Sequence, residues 1–488
     1  MKNFKKYIGL SLATALLWSC TYDAPEKVEP TSGSADFSKV VAVGNSLTAG
    51  FMDAALYDAG QNSSYAAIVA LQMQAVGGGD FNIPMTGSDV GCYNPAGGCT
   101  AGRLVLKGLA APKPSPIIPG DPSALAPYSG NKSALNNFGV PGITLATALT
   151  PLTGGPADPG NPAYNPYYAR FASNPGTSTI IGDAAAALAD GGTFLLFWLG
   201  NNDVLGYATG GASNPAILTS ESDFSTRFSA ALGTLLQANA DANGAVANIP
   251  NVTDIPYFTT VDYNPVPLDQ ATADQLNAGY SDFNNGIMAY NAGMLPGQSG
   301  PPSEENQRPT ISFAPGNNAV VIEDETLPDL SAYGIPSIRQ TTSNDLIVLS
   351  AGAVIGVDMG GGPKGLQDPL GDEYVLIPSE IDEIGNSIAA FNQTISSFVS
   401  ANSDRLVLVD INSIFEDFAE KGTTINGSAL NASISPPFGG FSLDGVHPNG
   451  RGSAFVANKF IEAINAKFNA SIPLSNPNNY GGNALPIP

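Results

Sequence analysis

"KVVAVGNSLTAGF", Lys39 to Phe51, sets four apolar residues in a row, three of them valine, and then breaks off at Gly44. A short β-branched run without polar alternation, ended by glycine, reads as a strand buried on both faces. Strands of that kind belong to parallel sheets covered by helices on each side. "TFLLFWLG" (193–200) reads the same way, and "GAVANIP" (244–250) and "RLVLVDI" (405–411) supply further strands. Helical spacing lies between and around them. In "SSYAAIVALQMQ" (63–74), Tyr65, Ile68, Val69 and Met73 share a face behind a serine cap. "STIIGDAAAALADGG" (178–192) is stopped by glycines, "EIDEIGNSIAAFNQTISSFVS" (380–400) follows, and in "GSAFVANKFIEAINAKF" (452–468) Val456, Phe460 and Ile464 line one face. Strands alternating with helices predict an α/β fold of three layers, α/β/α, around a parallel central sheet.

The rest of the chain is loop-rich. Glycine (55) and proline (39) are abundant while charged residues make up only 12% of 488, a composition of exported rather than cytosolic helical proteins. Stretches at about 75–135 and 254–344 are dominated by turn-forming residues and read as insertions at one end of a single domain spanning 37–470. Residues 471–488, ending "NPNNYGGNALPIP", read as an irregular tail. A net charge of −23 excludes a nucleic-acid partner, because phosphate binding needs basic residues.

The first nineteen residues carry an export pattern: Lys2, Lys5 and Lys6, then the apolar "YIGLSLATALLW", too short to span a bilayer stably. The run ends in "LWSC", which resembles the lipobox of bacterial lipoproteins. That resemblance implies acylation of Cys20, a membrane attachment through lipid alone, and a polar tether over 20–36. The location so implied is the cell envelope, at the outer membrane of a Gram-negative bacterium; an ordinary secretory signal cut nearby is the alternative. Two more cysteines remain, Cys92 and Cys99 in "GCYNPAGGC". In an exported chain they read as a loop-closing disulfide, and their spacing is wrong for zinc. Closing so small a loop gains about 2.5 kcal/mol in the chain-entropy picture.

In doubly wound sheets, sites form beyond the carboxyl ends of the strands. "GNSLTAG", "GNNDVLG" and "SLDGVHPNG" follow strands, and "NNFGVPGIT" follows the first insertion. Ser46 lies just past the first strand, but a serine hydroxyl needs a base within reach to act as a nucleophile. His447 is the only histidine in the chain and the only side chain suited to that task near neutral pH. Asp444, three residues earlier, can hold its imidazole and stabilise the imidazolium. Donors for a developing oxyanion are the Ser46 and Gly142 N–H groups and the Asn202 side chain. Taken singly, each segment reads as a cap or turn; their order, their placement at strand ends and the single histidine agree.

"GNSL", "NFGVPG", "GNND" and "DGVHP", in that order, resemble the four blocks of the SGNH (GDSL) hydrolase superfamily, esterases and lipases on a flavodoxin-like three-layer fold. The resemblance implies Ser46 as nucleophile, Gly142 and Asn202 with Ser46 as oxyanion donors, and Asp444 and His447 as acid and base. Asn45 departs from the family, which commonly has aspartate there. The implied activity is hydrolysis of carboxylic esters through an acyl-enzyme, with no cofactor or metal. The acids of "LGDEY" (370–374) could bind calcium but lack EF-hand spacing. Asp203 reads as a loop-holding residue, and Trp198 as packing on the sheet.

Two apolar segments, Gly102 to Gly120 and Leu346 to Val357, would suit a lipid or long acyl chain if they lay near the strand ends. The alternatives are a carbohydrate O-acetylesterase, needing only a small acyl pocket, and an inactive surface protein that binds glycan or lipid.

Overall fold

The computed structural model describes residues 29–110 and 112–488; the expected signal sequence and Cys20 lie outside them. Its centre is a sheet of five strands, β1 (Val40–Gly44), β2 (Asn137–Gly139), β3 (Phe194–Trp198), β4 (Asn243–Ala247) and β5 (Leu406–Val409). All neighbours run parallel, in the order 2-1-3-4-5, with Ala42 opposite Asn137 on one side of β1 and opposite Leu196 on the other.

β1 and β3 are buried along their whole length on both faces, which is why they read as unbroken apolar runs. Val41, Val43, Leu195, Phe197 and Val246 point into one cluster, and Val40, Ala42, Phe194, Leu196 and Trp198 into another. The second cluster is closed by α2 (Tyr65–Met73) and α8 (Gly450–Phe468), whose Phe460 stacks on Tyr65 at 4.7 Å. The first is closed by α3 (Ile180–Ala189), α5 (Glu221–Ala238) and α6 (Pro378–Ala401). The rings of Phe224 on α5 and Phe391 on α6 stack at 4.0 Å. Three more helices sit at the carboxyl ends of strands: α1 (Ser46–Ala49) after β1, α4 (Asn202–Thr209) after β3 and α7 (Ile411–Lys421) after β5.

The region 254–344 is more ordered than its composition implies. It holds a short helix, Pro256–Thr259, and two longer ones, Gln270–Gly279 and Ser281–Asn291, the first of these two capped by Asp269. Ala273, Leu276 and Tyr280 bury themselves against Ile311, Phe313 and Val321, so partners outside the helix make it stable. Residues 75–135 carry a hairpin, Leu104–Lys107 with Lys113–Pro116, whose edge is extended by Ile487 of the tail. At the other end, part of the expected tether is docked. Ser34 N–H donates to the Phe468 carbonyl at 2.8 Å, and Ala35 packs in the second cluster. Among the described residues no helix is long and apolar enough to cross a membrane.

A cleft of about 660 Å³ between α4, α6 and the second insertion collects acids. The carboxylates of Glu325, Asp372 and Glu380 come within 4.8 Å of one another. Burial, added to the charges of Asp372, Glu325 and Asp324, pushes Glu380 up to about 8 despite the N–H of Ile377 on its carboxylate. Asp372 is raised to about 6, again by burial and by neighbouring acids. Between the ordinary carboxylate range and those values the folded chain holds protons that the unfolded chain has released, so stability falls as pH rises. The midpoint of thermal unfolding should therefore drop between pH 5 and pH 8, and Glu380→Gln should make the drop shallower. Equal slopes for the two proteins would refute the assignment to Glu380.

Candidate active site

Gly44 ends β1 because nothing larger fits: a Cβ there would sit 1.9 Å from Thr48 Oγ1 and 2.8 Å from the Trp198 carbonyl oxygen. The chain turns at once into α1, with Asn45 as its cap, the side chain accepting the Leu47 N–H at 3.0 Å. A cap needs only an oxygen acceptor, so asparagine serves there as aspartate would. Ser46 is thereby the first residue of the helix, and its N–H is one that a helix start leaves without an intrahelical acceptor.

The second part of the site is the loop Ser442–Asn449, which leads into α8. It is closed on itself by the Ser442 N–H to the His447 carbonyl at 2.7 Å and by an antiparallel bridge between Phe441 and Pro448. Asn449 then caps α8, accepting the N–H groups of Arg451 and Gly452. Within this loop Asp444 is saturated. Its Oδ1 accepts the N–H groups of Val446 and His447, both at 2.9 Å; its Oδ2 accepts the Ala54 N–H at 2.9 Å and lies 3.0 Å from His447 Nδ1. Burial alone would raise this carboxyl, but the charge and hydrogen bonds of His447 and the Ala54 N–H outweigh it and hold it at about 2.

An ionised carboxylate only accepts, so in the neutral imidazole Nδ1 carries the proton and Nε2 is left as the acceptor. Nε2 lies 2.8 Å from Ser46 Oγ. Phe51 packs beside the imidazole at 5.0 Å between ring centres and excludes water from one flank. Ser46, Asp444 and His447, far apart in sequence, thus form one continuous hydrogen-bonded row.

Gly142 and Asn202 reach the same cleft as Ser46 and His447. Gly142 has φ +76°, a turn conformation that suits glycine. Its loop is tied to the start of α4: Asn202 Nδ2 donates to the Ile143 carbonyl at 2.8 Å, and Asp203 accepts the Leu145 N–H at 3.0 Å and the Thr219 hydroxyl at 2.9 Å. Asp203 is fully buried, which raises it to about 6 against these bonds. It holds the loop, as its position beside Asn202 suggested. The bond to Ile143 uses one of the two hydrogens of the Asn202 amide.

The cleft measures about 780 Å³. Its remaining walls were not legible from the motifs: Phe51, the loop Tyr93–Ala96, Leu125, Tyr164, Asn165 and Tyr167. Cys92 and Cys99 are joined by a disulfide that closes the Tyr93–Ala96 wall, and the Tyr167 hydroxyl donates to the Cys92 carbonyl at 3.3 Å. Among the described residues that line it there is no Lys, Arg, Asp or Glu. Neither apolar segment expected to serve an acyl chain lines it. From the first, Leu104–Lys107 and Lys113–Pro116 pair in the hairpin beside the tail, and from the second Ile347, Val348 and Ala351 are core. Trp198 packs against both Tyr65 and Phe460 and donates to the Asn248 carbonyl at 3.0 Å.

No family model matches this chain, and no curated protein matches it.

The depressed Asp444 carboxyl adds stability above the ordinary aspartate range that is lost as pH falls toward 2. Asp444→Asn should therefore be less stable than the parent at pH 7, by about 2 kcal/mol, with the gap closing toward pH 2. Urea unfolding at several pH values measures it, and a gap independent of pH would contradict the ionised, hydrogen-bonded carboxylate.

Proposed function

We propose that this protein is a serine hydrolase of uncharged carboxylic esters, with the three-layer fold and chemistry of the SGNH (GDSL) superfamily. The observation that carries the reading is the row from Ser46 Oγ through His447 to Asp444, at 2.8 and 3.0 Å, opening on a cleft that also contains Gly142 and Asn202. The strand order 2-1-3-4-5 is that of flavodoxin-like sheets and supports the fold assignment.

In the proposed reaction Ser46 Oγ attacks the ester carbonyl while His447 Nε2 takes the hydroxyl proton. The imidazolium is stabilised by Asp444, whose full set of donors keeps it ionised. The carbonyl oxygen becomes an oxyanion facing the Ser46 and Gly142 N–H groups and the Asn202 amide. His447 returns the proton to the leaving alcohol, and the same imidazole then activates the water that releases the acid from Ser46. Every proton is moved by His447, and the reaction calls for no cofactor.

The uncharged lining supports a neutral substrate. A phosphate or carboxylate placed beside Ser46 would lose hydration without meeting a cation, in a chain of net charge −23. Long acyl esters remain one version of the reading. The carbohydrate O-acetylesterase version gains from the site: Phe51, Tyr93, Tyr164 and Tyr167 surround Ser46, and aromatic rings offer flat faces with polar tips to a sugar. Export with a lipid anchor on Cys20 completes the proposal and would bring the site to esters at the cell envelope.

Turnover of p-nitrophenyl esters from two to sixteen carbons, beside acetylated neutral oligosaccharides, tests it. Ser46→Ala should abolish hydrolysis, and His447→Ala should lower kcat by about a thousandfold or more with little change in KM. Rates confined to acetyl esters and acetylated sugars select the sugar version; rates rising with chain length select lipids. Ester hydrolysis undiminished in Ser46→Ala would refute the reading, and a parent inert on every ester would favour a binding protein.

A further inference from the structure

Asp53 is a second aspartate next to the site that no motif contains. It is 8% exposed, and it occupies, with Ala54, the centre of a tight turn in which Met52 and Ala55 exchange backbone hydrogen bonds at 3.1 and 3.2 Å. Both central residues are left-handed, at φ +53° and +59°, although neither is glycine. Such turns normally use Asn-Gly or Asp-Gly, and a left-handed alanine persists only where its surroundings enforce it.

The surroundings here are the acid–base loop. The Asp53 N–H donates to Ser442 Oγ at 3.0 Å, Asp53 Oδ1 accepts the Leu443 N–H at 3.0 Å, and the Ala54 N–H donates to Asp444 Oδ2 at 2.9 Å. Three consecutive residues of the loop are thus held by two residues of the turn. The oxygen that meets Ala54 is the one that faces His447 Nδ1. The turn is anchored behind by the Tyr57 hydroxyl on Asp53 Oδ2 at 2.9 Å and by the Leu104 N–H on the Asp53 carbonyl at 2.8 Å. Arg103 lies over the Tyr57 ring at 5.0 Å.

We propose that Asp53 is a positioning residue: its carboxylate and N–H fix Ser442 and Leu443, and the turn it maintains aims the Ala54 N–H at Asp444, setting the carboxylate that orients His447. The inference rests on the reading of Ser46 and His447 as nucleophile and base. Because β1, α1 and the turn are one continuous segment, Asp53 couples the nucleophile's segment to the base's loop through hydrogen bonds that do not touch substrate.

Three substitutions separate its parts. Asp53→Asn keeps an acceptor for Leu443 and tolerates positive φ. Asp53→Gly keeps the turn without the acceptor, and Asp53→Ala keeps neither. Turnover of p-nitrophenyl acetate should fall roughly ten- to a hundredfold in kcat for Asp53→Ala and Asp53→Gly, with KM within about threefold, because a misplaced catalytic group costs rate rather than binding. Asp53→Asn should stay within about threefold of the parent. Since His447 is the only histidine, the Nδ1–H proton resonance of a histidine-labelled sample reports the hydrogen bond to Asp444 directly. It should persist in Asp53→Asn and be lost or broadened in the other two. Should Asp53→Ala fail to fold, Asp53→Gly carries the comparison. A parental kcat and resonance in Asp53→Gly would overturn the proposal, since the carboxylate would then be idle. If the parent hydrolyses no ester, the proposed function fails, while the resonance still decides the role of Asp53.

Discussion

The hydrogen bond between Ser46 Oγ and His447 Nε2 joins residues 401 positions apart. The chain has a single imidazole, so no second histidine can replace it if that contact is lost. Its strength depends on which nitrogen carries the proton, and that is settled one bond further on by Asp444. The carboxylate is ionised because four donors meet it in a buried site, against the cost of taking its charge out of water. Hydroxyl, imidazole and carboxylate are therefore one electrostatic unit.

The sheet exists, for this purpose, to bring the two segments together. β1 and β3 are buried on both faces, and their shared carboxyl ends release α1 and α4 on the side where the loop Ser442–Asn449 arrives ahead of α8. Packing by large rings, such as Phe224 on Phe391 and Phe460 on Tyr65, makes that frame rigid. The insertions then build on the frame. The first supplies a disulfide-closed wall beside Ser46, and the second forms small apolar clusters of its own around Tyr280 and Tyr290.

What could be read from residues alone follows the same physics. Strands with apolar side chains on both faces announce themselves as apolar runs, so β1, β3, β4 and β5 were visible; β2, only Asn137–Gly139 and led by a polar residue, was not. α5 carried a signal that went unread, a Ser220 cap with Glu221 and Asp223 behind it and Phe224, Phe228, Leu232 and Leu235 at helical spacing. The helices after Gln270 carried little, since distant Ile311 and Phe313 complete their buried faces. That Ser46, His447, Gly142 and Asn202 meet at one cleft, with Asp444 behind His447, was legible because chemistry restricts which residue types can take the roles proposed for them. Tyr93, Tyr164 and Phe51 were not, because a cleft wall assembled from loops has no period. Asp53 was invisible for a further reason: its importance lies in two positive φ angles and three hydrogen bonds, none of which composition encodes.

The most direct measurement on the central contact is the site of covalent capture by a fluorophosphonate, which reacts with a serine only when a neighbouring base activates it. After brief exposure of the full chain, digestion and mass spectrometry should find the adduct on the peptide containing Ser46, and none in protein carrying His447→Ala. An adduct on another residue, or the same Ser46 adduct formed as fast without the imidazole, would contradict the activation of Ser46 by His447.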